Sequence, residues 1–183
     1  MVFRAVFSMR NVSVVAFVTF VSLFISACAT QLSDNSLDGI ANLSSVRGEM
    51  LAQVNQSRRS EGKPPLRYNA QLNAAAQAHA EDMARRGFYN HRSPEGKDVA
   101  DRWRAQGGGQ WQAVGENILY CNTCATPSAQ ARQFHERWMQ SPGHRRNIMR
   151  ADFEEFGFGM ASAGGKIYAV QNFLTQRQPG RAW

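Results

Sequence analysis

Three short polar runs interrupt an otherwise regularly patterned chain, and each carries a titratable side chain at the break: Asn90-His91-Arg92-Ser93-Pro94, Gly115-Glu116-Asn117-Ile118, and Ser141-Pro142-Gly143-His144-Arg145-Arg146-Asn147-Ile148. Two imidazoles and a carboxylate on separate elements can meet at one divalent metal ion such as zinc, with water completing the shell, because neutral imidazole nitrogen and carboxylate oxygen both suit that ion. His91 and His144 would be the metal ligands, with Glu116 nearby. The competing reading is structural: Glu116 accepts backbone hydrogen bonds at a strand end, while His91 and His144 hold loops through buried hydrogen bonds.

Other chemistry is excluded residue by residue. His135-Glu136 would begin a helical zinc-protease motif, but the second histidine of such a motif belongs at position 139, which is Met139. No Gly-x-Ser-x-Gly elbow occurs, and Gly107-Gly108-Gly109 lacks the lysine and strand-helix context of a phosphate loop. Ser141 precedes Pro142 and reads as a helix cap rather than a nucleophile. His79 lies beside an apolar helical stripe, where a core-edge packing role is expected.

The elements that must position these residues follow from periodicity. Val46, Met50, Leu51 and Val54 are at helical spacing, closed by Gly62 and Pro64-Pro65. Asn69 is a cap for a second helix whose stripe is Leu72, Ala75, Ala76, Ala80 and Met83, ending near Gly87. Ser93-Pro94 has the form of an N-cap with Pro at the first helical position, predicting a short helix around Val99, Ala100 and Trp103 that Gly107 to Gly109 ends. A strand is predicted over 116–120, and a helix through Ala131, Phe134 and Trp138. Phe156, Phe158 and Met160 alternate with small residues, Ala163-Gly164-Gly165 turns the chain, and Ile167, Ala169, Gln171 and Phe173 return it. Helices early and a hairpin late predict an α+β layered fold.

The chain has 183 residues and a formal charge of +7, enough length for one domain. Its cations are scattered (Arg58-Arg59, Arg85-Arg86, Arg102, Arg104, Arg145-Arg146), which reads as a solvated surface and argues against nucleic acid as a partner. Arg4 and Arg10 precede the uncharged run from Val12 to Ile25, which has the form of a secretory signal segment. The run ends in Ile25-Ser26-Ala27-Cys28, which resembles the bacterial lipobox, whose cysteine becomes the lipidated first residue. An ordinary signal peptide or an uncleaved anchor is the alternative. Residues 1–27 are thus expected to be a lipoprotein signal peptide and 28–45 a lipidated N-terminus and tether. Of three cysteines, assigning Cys28 to lipid leaves Cys121 and Cys124, expected to close a local disulfide in an oxidising compartment.

The segments "AAQAHAEDMARRGFYNHRSPEG", "VGENILY", "FHERWMQSPGHRRNIM", "FEEFGFGMA" and "YAVQNF", in this order, resemble the CAP superfamily of cysteine-rich secretory, antigen 5 and pathogenesis-related proteins, in its bacterial SCP-like branch. The resemblance assigns 46–175 to a CAP/SCP-like domain and 176–183 to a C-terminal tail. It implies an α-β-α sandwich with a central, mainly antiparallel sheet between helical layers, and a cleft lined in eukaryotic members by two His and two Glu, some of which bind zinc. Carried over, His91 and His144 match the two histidines and Glu116 one glutamate. The other glutamate position falls on Ser141, whose neutral hydroxyl supplies neither charge nor base near neutral pH.

The resemblance therefore implies a binding or interaction module. It would be extracytoplasmic and anchored to a membrane through N-terminal lipid, facing the periplasm from an outer membrane if the cell has two. Its cleft would hold a lipid-like small molecule or a cell-envelope component. A metal-assisted hydrolase using His91, Glu116 and His144 is the alternative, weakened by Ser141.

Overall fold

The computed structural model describes residues 43–122, 124 and 127–177. The expected signal segment, Cys28, nearly all of the tether and most of the tail lie outside the described residues. Residues 43–45, expected in the tether, are already helical.

Helix α1 (residues 43–60) buries Val46, Met50, Val54 and Arg58 at a four-residue spacing, the last fully enclosed despite its charge. Asn69 caps α2 (Ala70–Arg86) as expected, its side-chain oxygen accepting from the Leu72 amide at 2.9 Å. The short helix α3 (Val99–Ala105) is not capped by Ser93. Asp98 caps it and Asp101 answers from three residues on, a reciprocal box that satisfies two orphan amides at once. Ser93 and Pro94 instead form a tight turn in which the Ser93 carbonyl accepts from the Gly96 amide at 2.8 Å.

The sheet runs β1-β3-β4-β2. β1 (Arg67–Tyr68) pairs in parallel with β3 (Glu155–Ala163), and β4 (Lys166–Gln176) lies antiparallel between β3 and β2 (Trp111–Cys121). β2 is longer than the predicted strand, because residues 111–115 continue the ladder opposite 173–176. The hairpin turn is made by Gly164 and Gly165, both at positive φ, 56° and 74°. Cys121 and Cys124 are disulfide-bonded where β2 ends.

Alternate strand residues point to opposite faces, and this chain fills the two differently. Ile118, Tyr168 and Val170 pack against Ala76, Ala80 and Met83 of α2. On that face β3 offers Gly157 and Gly159, where a side chain would run into the α2 backbone at Leu72–Asn73 and Ala76–Gln77. The glycines let helix and sheet touch. The opposite face carries Phe156, Phe158, Ala169 and Phe173 against α1 and against Ala131, Phe134 and Trp138 of α4 (Pro127–Gln140). The result is the expected α-β-α sandwich.

Side chains close the edge of β2 and the part of β3 that runs beyond the two-residue β1. At β3, Asn73 accepts from the Phe158 amide at 2.8 Å, Gln77 accepts from the Met160 amide at 3.1 Å, and Arg47 donates to the Phe158 carbonyl at 2.9 Å. At β2, the Glu116 carbonyl accepts from Asn147 at 3.1 Å, and the Ile118 carbonyl accepts from Tyr89 at 2.9 Å and Trp138 at 3.3 Å.

Candidate functional site

Glu116 projects from β2 onto the α2 face, since it shares that face with Ile118. Its side chain is 3% exposed, and a carboxylate so enclosed needs partners. Arg102 of α3 donates from Nη2 to Oε2 at 2.6 Å, and His91 donates from Nδ1 to Oε1 at 3.0 Å. The Asn172 amide nitrogen, turned toward Oε2, adds a bond of 3.1 Å. His79 stands behind, its Nε2 3.9 Å from Oε1 but bonded to the Asn90 carbonyl at 2.9 Å. Burial lowers the His79 pKa, outweighing the pull of Glu116. The expected packing histidine is therefore also the rear wall of the site.

His91 reaches the site on a turn that Asn90 builds, its side-chain oxygen accepting from the Arg92 amide at 2.9 Å. The same Arg102 clamps this loop, donating to the carbonyls of His91 at 3.1 Å and Lys97 at 3.0 Å. With Nδ1 donating to Glu116, the neutral His91 ring leaves Nε2 as a free acceptor.

His144 comes from α5 (Pro142–Met149), in whose first turn it lies. Ser141 occupies the N-cap position as expected, but its side chain makes no cap bond. Two asparagines dock α5 on β2: Asn117 donates to the His144 carbonyl at 3.1 Å, and Asn147 donates to Asn117 Oδ1 at 2.9 Å as well as to the Glu116 carbonyl. Arg58 holds the far end, donating to the carbonyls of Ile148 (2.7 Å), Arg150 (2.9 Å), Phe153 (3.2 Å) and Pro64 (2.7 Å). The His144 pKa is lowered chiefly by burial, with a smaller contribution from His91.

A metal ion bound here would use His91 Nε2 and the His144 ring, with solvent to complete its shell. A third protein ligand does not fit: Arg102 and His91 occupy the Glu116 oxygens, and among the described residues no three His, Cys, Asp or Glu side chains form a metal-holding group. Glu136, on α4 two residues before Trp138, is exposed.

Arg102 is the residue that sequence reasoning missed. Scattered cations read as a solvated surface, yet Arg102 and Arg58 are buried, at 9% and 0% exposure. The one local signal was its neighbour Trp103, a large apolar residue that pulls this helix into the core.

Residues 51–175 match the model of the family described as CAP: Cysteine-rich secretory protein family. The chain belongs to this family. The uncharacterized protein YkwD of Bacillus subtilis is 27% identical over 124 residues, 68% of this chain and 46% of that one. The solved structure of an extracellular protein containing a SCP domain from Bacillus anthracis superposes with a TM-score of 0.63 at 25% identity, covering 73% of this chain and 41% of that one. These matches place the chain in the bacterial SCP-like branch, and it spans less than half the length of either relative. NaASP2, solved with Zn2+, shares the CAP fold with a TM-score of 0.53 at 14% identity, covering 70% of this chain and 78% of that one. Among the described residues no helix is long and apolar enough to cross a membrane.

Proposed function

We propose that this CAP domain is an extracytoplasmic binding module, tethered to a membrane by lipid on Cys28, whose cleft between His91, Glu116 and His144 takes an apolar small molecule or an envelope component. The ion pair between Arg102 and Glu116 carries this reading. A carboxylate spent on a buried guanidinium and on His91 anchors the cleft and is not free to act as a base. Ser141 offers no second acid in its place.

The binding reading is tested with radiolabelled fatty acid, sterol and peptidoglycan fragments. Wild-type protein should retain one of them, and His144→Trp, which fills the cleft, should lose it. Retention unchanged in that variant would move the ligand elsewhere. For the anchor, Cys28→Ala should release the protein from membranes or leave it unprocessed; unchanged acyl labelling would refute lipidation.

One observation favours metal-assisted hydrolysis as the second reading. A carboxylate holding His91 Nδ1 orients Nε2 as second-shell carboxylates orient metal-binding imidazoles, and the fold relative NaASP2 was solved with Zn2+. Stoichiometric zinc uptake, abolished by His91→Ala and by His144→Ala, would support the metal; uptake indifferent to both would remove it. Absence of product from peptide, ester and peptidoglycan substrates with zinc supplied would leave the binding module alone.

A further inference from the structure

Helix α5 has two faces, and only one serves the cleft. Asn147 and Ile148 face β2 or the core, whereas Pro142, Arg145 and Arg146, with the buried Met149 at their base, recur at i, i+3, i+4 and i+7, about 150° around the axis from His144. That second face forms one side of an open groove of about 830 Å3, flanked by the loop after α1 and the end of α4. Its lining holds four cations, Lys63, Arg145, Arg146 and Arg150, against a single carboxylate, Glu61.

The charges do not balance within the fold. Glu61 is taken by Arg145 across the groove, and Arg150 is taken by Asp152 at 2.6 Å. Lys63 and Arg146, on different walls, have no carboxylate partner among the described residues. Unpaired like charges facing one concavity repel, and an anion that spans them removes the repulsion. The groove is far larger than one phosphate group fills, which favours a ligand with repeated charges.

We propose that this groove binds a polyanionic strand, a polymer with a negative phosphate at each repeat, independently of the His91–His144 cleft. The probe is fluorescent inorganic polyphosphate, titrated into the full chain held in nonionic detergent. Wild-type protein should bind with strong salt dependence. Lys63→Ala with Arg146→Ala should weaken binding on the order of tenfold or more in low salt, and lower the log-log salt slope by about 1.4. Because neither side chain has a carboxylate partner to lose, the thermal midpoint should hold. Glu61→Gln frees Arg145 and should tighten binding several-fold, an opposite change that misfolding cannot imitate. No polyphosphate binding, or binding indifferent to all three substitutions, overturns the proposal. So does selective association with phosphatidylglycerol over phosphatidylcholine vesicles without polyphosphate binding, which would assign the cations to a membrane surface.

Discussion

Arg102 Nη2 lies 2.6 Å from Glu116 Oε2, and the same nitrogen reaches the His91 carbonyl at 3.1 Å. One guanidinium thus fixes both the carboxylate at the floor of the cleft and the loop that carries its first histidine. The cleft is organised around a cation that the sequence motifs do not contain.

Removing that cation should be costly. Arg102→Met leaves Glu116 buried without its charge partner, and urea unfolding should show a loss of about 3 kcal/mol or more. Arg102→Lys keeps the charge but not the fork that serves three oxygens, so it should fall between the two. Equal stability of wild type and Arg102→Met would mean that Glu116 does not depend on the pair.

Arg58 makes a parallel prediction for α5. Its guanidinium is fully enclosed and satisfies four carbonyls, and burial lowers its pKa without removing its charge. Arg58→Met should strand those acceptors, destabilising by about 3 kcal/mol, and should speed amide exchange in α5 more than in α2. Uniform exchange in the two helices would separate Arg58 from the placement of His144.

Glycines should respond with opposite signs. Gly159→Ala drives a methyl into the α2 backbone and should destabilise by about 2 kcal/mol or more. Gly143→Ala meets nothing within 4 Å in a helical position and should stabilise by about 0.5 kcal/mol. A thermal-denaturation comparison of the two variants decides it.

Acid should weaken the fold before the carboxylates titrate. Burial lowers the pKa of His79, His135 and His144 below the ordinary 6.5. The unfolded chain therefore binds more protons below that value, so stability is complete above pH 6.5 and declines as pH falls toward the folded-state pKa values. Urea midpoints should drop between pH 7.5 and 5.5, and the drop should shrink in His79→Gln, where the buried ring lies behind Glu116. An unchanged slope in that variant would place the proton uptake elsewhere.

The legibility of this chain divides along sequence distance. The stripes Val46-Met50-Val54 and Leu72-Ala76-Ala80, and the alternation Phe156-Phe158-Met160, are local and imply their elements directly. His91, Glu116 and His144 stand out as candidates because each sits in a polar run that breaks such a pattern. Arg58 and Arg102 do not. The first bonds to carbonyls 90, 92 and 95 residues away and the second to a carboxylate 14 residues on, so the partners that make their burial tolerable are not adjacent in sequence. The Ser93 cap failed for a local reason, because Asp98 with Asp101 offered a stronger one.

The side chains that close the outer edge of β2 come from the same parts that shape the cleft: Tyr89 from the loop before His91, and Asn147 from the helix of His144. An open strand edge is a template on which another chain can add. If α5 and that loop swung apart to admit a bulky ligand, the Glu116 carbonyl would be bared to any passing β-strand and the Ile118 carbonyl would keep only Trp138. Entry through a wide opening would thus carry the hazard of polymerisation, and the safe route to His91 and His144 is one that leaves Tyr89 and Asn147 in place.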